Sequence, residues 1–152
     1  MKERIQLEHQ RIVPYLTYAD APAAIEWLCR AFGFEELRRM ELPDGRLGHA
    51  ALSYAGEQVM LSSAFEEAGT CSPLELPGVP QQISVYVDDV DAHFTRAQAE
   101  GAEILIEPED QFWGARAYWT RDLEGHRWTF QQQLREVSDA DLAGAMETSM
   151  SD

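Results

Sequence analysis

Hydrophobic residues recur along the chain with two periods that alternate. Residues 11–18 are rich in β-branched and aromatic side chains, which predicts a strand. Apolar residues then recur at helical spacing from Ile25 to Phe32, so we predict a helix that begins after Asp20 and ends at Gly33. Three further strands are predicted over residues 37–42, 47–54 and 58–62. The order of elements in this part is therefore β-α-β-β-β.

The same order returns after a stretch of a different kind. Residues 64–80 contain several Gly and Pro residues and no sustained period, which predicts a connecting loop. A strand is then predicted over 83–87, followed by a helix that begins at Asp88 or Asp89 and ends at Gly101. The last three predicted strands cover residues 103–107, 115–121 and 127–132.

One sequence offset relates the two series. Residues 16–20 align with 85–89, and the turn glycine Gly56 aligns with Gly125, both at an offset of 69 residues. Recurrence at one offset indicates an internal duplication. We therefore predict an α+β fold in which two βαβββ modules in tandem form a curved, mostly antiparallel eight-stranded sheet around a cavity, with the helices outside.

The chain has 152 residues, which is enough to bury a sizeable core. The predicted organisation is an N-terminal arm over residues 1–10, module 1 over 11–63, the connecting loop over 64–80, module 2 over 81–133 and a C-terminal tail over 134–152. The tail has a weak helical pattern around Leu142 and Met146, and we expect this helix to fray.

Charge narrows the range of partners. The chain has 12 Lys and Arg against 27 Asp and Glu, a formal net charge of −15. Nucleic acids and anionic membrane surfaces require clustered positive charge, so we expect neither as a partner. The acidity is either a solvated surface or the field around a site for a cationic ligand. No apolar run approaches the ~18 residues of a membrane helix, and nothing resembles a signal peptide, so we predict a cytoplasmic protein.

Motifs for nucleophilic or phosphate chemistry are missing from the sequence. The chain contains no Gly-x-Ser-x-Gly elbow and no Gly-Lys pair in a phosphate-binding loop. The two cysteines, Cys29 and Cys71, do not have metal-ligand spacing, and Cys29 is interpreted as a small core residue.

The four histidines also form no local chelate. His9 lies in the arm, His93 is predicted on the solvated face of the second helix, and His126 is predicted to pack or hydrogen-bond locally after a turn. No two of them are spaced i, i+2 on a strand or i, i+4 on a helix. His49, in the third strand, is the candidate for an acid–base residue because imidazole titrates near neutrality.

Six stretches of the sequence, in this order, resemble a known family. They are Val13–Leu16, Ala31–Phe34, Pro43–Ala50, Val85–Ala92, Phe112–Arg116 and Asp122–Trp128. Together they resemble the PhnB-like branch of the vicinal oxygen chelate superfamily, which groups glyoxalase I, extradiol dioxygenases, fosfomycin-resistance transferases and bleomycin-binding proteins. The resemblance extends over residues 11–133. It implies paired βαβββ modules that curve around a cavity and are commonly completed by a homodimer.

The resemblance also implies where a metal would bind. In metal-dependent relatives, His, Gln or Glu residues from the first and last strand of each module hold a divalent cation. The matching positions in this sequence are Val13, Met60, Gln82 and Thr129. Val and Thr are not competitive ligands, Met is soft, and a lone Gln amide oxygen is weak. We therefore expect no metal and no other cofactor at this place.

Strand alternation predicts which residues line the cavity. They are Val13, Tyr15, Thr17, Met60, Gln82, Ser84, Tyr86, Trp113, Arg116 and Thr129. Trp113 and Arg116 would hold a planar or anionic ligand by stacking and charge. The alternative is that Trp113 covers the core and Arg116 pairs with a carboxylate such as Asp122.

Three functions are compatible with these features. The first is a glyoxalase- or bleomycin-resistance-like protein that binds a small aromatic or cationic molecule in the cavity without a metal. The second is a lyase, isomerase or dioxygenase of the same superfamily that uses non-standard metal ligands or none, with His49, Tyr86 and Gln82 as acid–base and orienting groups. The third is a homodimeric module with a vestigial cavity. We favour the first.

Overall fold

The computed structural model describes residues 10–150, and the chain divides into two compact units between Gly78 and Val79. Residues 1–9, which include His9 and most of the predicted arm, lie outside the described residues. The boundary between the units falls inside the predicted connecting loop. That loop contains two short 3-10 helices, Glu66–Ala68 and Pro73–Glu75.

The first unit is a four-stranded sheet with one α-helix. Its elements are β1 (Tyr15–Tyr18), α1 (Ala21–Phe32), β2 (Glu35–Glu41), β3 (Leu47–Tyr54) and β4 (Glu57–Ser63). The strands lie in the order β1-β4-β3-β2, with β1 parallel to β4 and the other neighbours antiparallel. Parallel strands cannot be joined by a tight hairpin, so the chain leaves β1 through α1 and returns to the sheet at its other edge.

The ends of α1 follow from its local sequence. The Asp20 carboxylate accepts a hydrogen bond from the Ala23 N–H at 3.1 Å and caps the helix. Gly33 ends it with a φ of 81°, which glycine adopts without strain. The apolar face of the helix, including the fully buried Ile25 and Leu28, packs across all four strands. The predicted start and end of this helix are confirmed.

Alternation along each strand separates two faces of the sheet. Leu16 and Tyr18 of β1 are buried on the face that α1 covers. Tyr15 and Thr17 lie on the opposite face, where Tyr15 is 51% exposed. We call the sheet face opposite the α-helix the far face of a module.

The second unit repeats this plan. Its elements are β5 (Gln82–Tyr86), α2 (Val90–Ala99), β6 (Glu103–Asp110), β7 (Ala115–Arg121), β8 (Arg127–Gln133) and a final helix, α3 (Asp139–Met150). The strand order is β5-β8-β7-β6, again with a parallel pair, β5 and β8. The predicted α+β fold of two tandem βαβββ modules is confirmed, and the eight strands are divided between two four-stranded sheets.

The two largest differences from the predicted strand boundaries are at the start of β1 and the end of β6, and a proline is involved at each. β1 begins at Tyr15 instead of residue 11, because Pro14 has no N–H for the ladder; its carbonyl still accepts a hydrogen bond from the Met60 N–H at 2.9 Å. β6 continues through Pro108 to Asp110, beyond the predicted end of the strand at residue 107. An edge strand with register shifts tolerates a proline, and β6 is such a strand.

The prediction that His93 lies on a solvated helix face is wrong. His93 is 9% exposed and lies on the face of α2 that packs on the sheet. Its Nδ1 is 2.6 Å from the Tyr118 hydroxyl oxygen, and its ring centroid is 4.1 Å from that of Phe130. An imidazole can be buried when an aromatic neighbour covers its ring and a hydroxyl satisfies its nitrogen.

Two further residues that the sequence analysis named, His126 and Cys29, lie within and at the margin of the folded core. His126 is buried and its backbone N–H bonds to the Asp122 carboxylate at 3.1 Å, so the expected local role is confirmed. Cys29 is half-buried, at the margin of the core instead of within it. Within residues 10–150, no helix is long and apolar enough to cross a membrane.

Candidate functional site

Most of the residues predicted to line a site lie on the far faces of the two modules. In module 1 the far face carries Tyr15, Thr17 and Met60, and Tyr15 is in register with Met60 across the parallel pair. In module 2 the far face carries Gln82, Ser84, Tyr86 and Thr129. Val13 lies before β1, outside the regular strand, and is half-buried. Trp113 lies in the loop that precedes β7.

On the far face of module 1, three polar side chains form a hydrogen-bonded row. The Tyr15 hydroxyl oxygen is 3.0 Å from His49 Nδ1, and Arg38 Nε is 3.3 Å from His49 Nε2. The Tyr15 and His49 rings have centroids 5.9 Å apart. The structure therefore brings two predicted residues together, the lining residue Tyr15 and the acid–base candidate His49. We call this row the Tyr15–His49–Arg38 triad.

Sequence reasoning missed Arg38. The residue lies on β2 opposite Ala51, and the next pair on the same face of the sheet is Met40 with His49. Two consecutive arginines in a strand must point to opposite faces, and that was the signal available in the sequence. Arg39, on the other side, donates to Glu36 at 2.6 Å, and this hydrogen bond raises the pKa of its guanidinium above the usual value.

The far face of module 2 carries a network of uncharged polar groups. The Thr129 hydroxyl donates to Gln82 Oε1 at 2.8 Å. The Gln131 amide donates through Nε2 to the Ser84 hydroxyl at 2.7 Å and accepts through Oε1 from Trp113 Nε1 at 2.9 Å. Trp113 Nε1–H can only donate, so it fixes the orientation of the Gln131 amide, with Oε1 towards the indole and Nε2 towards Ser84.

Aromatic rings border this network. The Trp113 and Trp119 ring centroids are 6.4 Å apart with the planes at 89°, an edge-to-face pair. Trp119 is in register with Thr129, and both indoles are half-buried. Tyr86, at the end of β5, is 61% exposed. We call Gln82, Ser84, Thr129, Gln131, Trp113 and Trp119 the module 2 network.

The far face of module 2 also carries an arginine, Arg127, with an unsatisfied donor. Arg127 is in register with Gln82, and its Nε is buried with no hydrogen-bond partner in the part of the chain that the structure describes. Buried donors are almost always paired in native proteins, so this N–H is a candidate donor to an acceptor atom of a ligand.

The structure puts Arg116 on the helix-covered side, away from this network. Its guanidinium donates to Asp91 of α2 at 2.9 Å and to Asp110 at 3.1 Å, and these two hydrogen bonds raise its pKa, with Asp91 first. The expectation that Arg116 pairs with a carboxylate is confirmed, but the partner named from the sequence, Asp122, is wrong. Asp122 is buried and accepts hydrogen bonds from Trp128 Nε1 and from three backbone N–H groups of its turn.

The residues at the superfamily's metal positions do not fit a divalent cation in either module. In module 1 these positions hold Val13, which has no donor atom, and the thioether of Met60. In module 2 the Gln82 oxygen is the one useful ligand atom, and it already accepts a hydrogen bond from Thr129. No group of three or more His, Cys, Asp or Glu side chains converges on a point anywhere within residues 10–150.

One cleft of about 660 Å³ lies in the first unit, beside the connecting loop. Three carboxylates, a thiol and a guanidinium line it: Glu66, Glu67, Glu75, Cys71 and Arg46. Arg46 lies over the Phe65 ring at 4.6 Å from the ring centroid and pairs with Asp44 at 2.8 Å. This cation therefore already has both an aromatic and an anionic neighbour.

Comparisons with known proteins are consistent with this fold. The family model described as "Glyoxalase/Bleomycin resistance protein/Dioxygenase superfamily" matches residues 8–130. An uncharacterized protein of Mycobacterium bovis is 40% identical over 136 residues, which are 88% of this chain and 90% of that protein.

Solved structures of other proteins share this fold. The crystal structure of TioX from Micromonospora sp. ML1 is 36% identical, with a TM-score of 0.66 over 85% of this chain and 100% of that one. A putative 3-demethylubiquinone-9 3-methyltransferase, the PhnB protein of Bacillus cereus, shares the fold at 18% identity, with a TM-score of 0.61 over 81% of this chain and 99% of that one. The chain belongs to the glyoxalase/bleomycin resistance protein/dioxygenase superfamily.

Proposed function

We propose that this protein binds a small planar aromatic molecule on the far face of module 2, without the metal ion of its metal-dependent relatives. The observation that carries the proposal is the hydrogen-bonded row from Trp113 through Gln131 to Ser84, because it holds an indole and an amide in fixed positions on an open sheet face. Ligand pockets combine apolar or aromatic walls with a few oriented polar groups, and this face has that composition.

Aromatic contacts would supply most of the affinity. An aromatic pair contributes about 0.5–1.5 kcal/mol beyond the area that it buries. Trp113 and Trp119 offer two surfaces at right angles, so a flat ligand can stack on one ring and meet the edge of the other. Tyr86 lies on the same face and is largely exposed, which leaves its ring available for a third contact.

The polar groups of this face favour a ligand with acceptor atoms. The oxygens of Gln82 and Gln131 already accept hydrogen bonds, so what remains is N–H from their amides and O–H from Ser84. Arg127 adds a buried donor without a partner among the described residues. We therefore infer an aromatic ligand that carries carbonyl, ether or ring-nitrogen acceptors. The net charge of −15 would still concentrate cationic compounds near the protein, but no carboxylate belongs to the network.

Tryptophan fluorescence and thermal shift test this proposal. Naphthalene, acridine and flavin derivatives, with cationic glycopeptides for comparison, would be titrated into the full chain. We expect at least one planar compound to quench emission and to raise the melting temperature. In Trp119→Phe the quenching and the affinity should fall about tenfold, a loss of about 1.4 kcal/mol. Trp27→Phe changes a tryptophan of α1 in the core of module 1 and is the matched control. Equal affinity in both variants, or no stabilisation by any compound, would contradict the proposal.

A second candidate is a metal-independent lyase or isomerase of the same superfamily. His49 favours it, because hydrogen bonds at both ring nitrogens hold the imidazole in one orientation, as an acid–base residue requires. Turnover of a hemithioacetal or a catechol that is unaffected by chelator and abolished in His49→Phe would support this function. Loss of turnover in chelator would favour an enzyme that uses a metal held by other ligands.

We further propose that the chain lies near the PhnB-like branch and acts as a cytoplasmic homodimer. The exposed apolar residues of the edge strands, Leu37 and Met40 on β2 and Ile106 on β6, support a second copy of the chain as the partner. Light scattering on the purified protein tests this, since a monomeric mass at micromolar concentration would be incompatible with it.

A further inference from the structure

The Tyr15–His49–Arg38 triad places a guanidinium on the far face of module 1 in this acidic chain. Four other arginines each pair with one or more carboxylates: Arg39, Arg46, Arg116 and Arg121. Arg38 is exposed, and within residues 10–150 no carboxylate lies within ion-pair distance of it. Its hydrogen bond goes to a histidine instead. A cation without an anion on an open sheet face is a feature that the proposed aromatic site does not use.

Hydrogen-bond chemistry gives this triad a direction. Arg38 Nε–H can only donate, so His49 Nε2 must accept. In the neutral imidazole the proton then lies on Nδ1, which donates to the Tyr15 hydroxyl oxygen. Arg38 therefore sets the tautomer of the histidine, and the Tyr15 hydroxyl stabilises that tautomer as the acceptor of Nδ1–H. The chain of donors runs from Arg38 to His49 and from His49 to Tyr15, and neither bond uses the two terminal nitrogens of the guanidinium.

Those terminal nitrogens are the part of an arginine that grips a carboxylate with two parallel hydrogen bonds. With Nε held by His49, the planar group has lost part of its rotational freedom, which lowers the entropy cost of binding. Met60 and Ala51 lie between Tyr15 and Arg38 in one row across the four strands. They provide an apolar floor for the body of a small ligand.

We propose that Arg38 is a binding site for the carboxylate group of a small organic acid, with His49 and Tyr15 as positioning residues. The site lies in module 1, on residues that the proposed aromatic site does not contain, so either proposal can fail without the other. A phosphate ester offers a related anion that arginine also grips with two hydrogen bonds, but the single guanidinium of the triad matches the one charge of a carboxylate better than the two charges of a phosphate ester.

Nuclear magnetic resonance of the full chain, with benzoate as the probe, tests the site. Benzamide has the same shape without the charge, and methyl phosphate supplies the other anion. We expect benzoate to shift the His49 side-chain ¹⁵N resonances with millimolar affinity, at least tenfold tighter than benzamide or methyl phosphate. Arg38→Gln should weaken benzoate binding at least tenfold, and Arg38→Lys should weaken it less because the charge remains.

Arg39→Gln is the matched control, since Arg39 is the next residue of the same strand and lies on the helix-covered side in a pair with Glu36. It should leave benzoate binding unchanged. Tyr15→Phe should move the His49 ¹⁵N shifts away from the Nδ1–H tautomer and weaken benzoate two- to fivefold, which a role in stability alone would not do. The proposal is overturned if Arg38→Gln and Arg39→Gln behave alike, if benzamide binds as well as benzoate, or if His49 already has the other tautomer in the unmodified protein. Preference for methyl phosphate would overturn the assignment to a carboxylate.

Discussion

The two modules have the same backbone plan and different chemistry on their far faces. Strand register makes the comparison residue by residue: the row Tyr15, Met60, Ala51, Arg38 in module 1 corresponds to the row Ser84, Thr129, Trp119, Ile106 in module 2. His49 corresponds to Ala117. Module 1 thus has a charged triad with an apolar floor, whereas module 2 has an uncharged network with aromatic borders. A duplicated frame keeps its pattern of strands and caps, and the sites differ because far-face residues are not needed to hold the helix.

The largest effect is expected where module 2 anchors its last turn. Asp122 accepts three backbone N–H groups and the Trp128 indole, and module 1 has no such carboxylate at the corresponding turn, where Ala55 and Gly56 have positive φ. Asp122→Ala leaves these donors without their acceptor, so we expect unfolding to become easier by about 2–4 kcal/mol. Urea denaturation measures this, with Ser53→Ala in module 1 as the control. A loss below 1 kcal/mol would mean that the turn is held by other contacts.

The second largest effect on the free energy of unfolding is expected on the helix-covered sides of the two modules. The buried pair His93 and Tyr118 in module 2 corresponds to Ala24 and Ala50 in module 1, so this buried hydrogen bond between helix and sheet has no counterpart at the same positions of module 1. Tyr118→Phe removes the hydroxyl and keeps the ring, and we expect a loss of about 1–2 kcal/mol of unfolding free energy. Thermal and urea unfolding would report it. An unchanged stability would show that the 2.6 Å contact contributes nothing net.

A substitution on the module 2 face sharpens the comparison of the two sites. Gln131→Leu removes both the acceptor of Trp113 and the donor to Ser84, and we expect affinity for the planar aromatic ligand to fall about fivefold, near 1 kcal/mol. Ser62 holds the corresponding position in module 1, and Ser62→Ala should leave the affinity unchanged. The measurement is the same fluorescence titration. If both variants weaken binding equally, the ligand does not distinguish the modules.

The smallest effect concerns the turn between β2 and β3. The pKa of Asp44 is lowered, first by the hydrogen bond from the Arg46 backbone N–H and then by the one from the Arg46 side chain. Its carboxylate therefore adds stability above the pKa of the unfolded chain, and this stability is lost as the pH falls through the lower folded pKa. Arg46→Gln removes the side-chain hydrogen bond and the positive charge but keeps the backbone hydrogen bond, so the pKa should rise only part of the way towards its ordinary value. Carboxyl ¹³C titration would show this, and a full return to the ordinary value would contradict the order of causes.

Much of the fold could be predicted because its determinants are local. The cap at Asp20 and the end at Gly33 are read from neighbouring residues, and the 69-residue offset is read from the repeat of the same local pattern; the structure has the cap and the helix end where expected. The ends of β1 and β6 were harder to predict, because whether a proline is accepted depends on whether its strand lies at a sheet edge.

The candidate site could be predicted only in part. Alternation put Tyr15 and Ser84 on the far faces, but their partners depend on register across strands that are distant in sequence. Arg38 meets His49 because β2 pairs with β3 through two register shifts, and no spacing rule gives that pairing. Gln131 was missed for a similar reason. Its amide belongs to the site because it accepts a hydrogen bond from Trp113, which lies in a loop 18 residues away in the sequence. The burial of His93 could not be predicted without knowing which aromatic rings lie beneath α2.

The most direct test of the central claim is the position of a bound aromatic ligand. Intermolecular nuclear Overhauser effects can be measured on the full chain with whichever planar compound quenches tryptophan emission most strongly. The account predicts contacts from the ligand ring protons to the indoles of Trp113 and Trp119 and to the side-chain amide of Gln131. Contacts confined to module 1, or to the cleft beside Cys71, would contradict it.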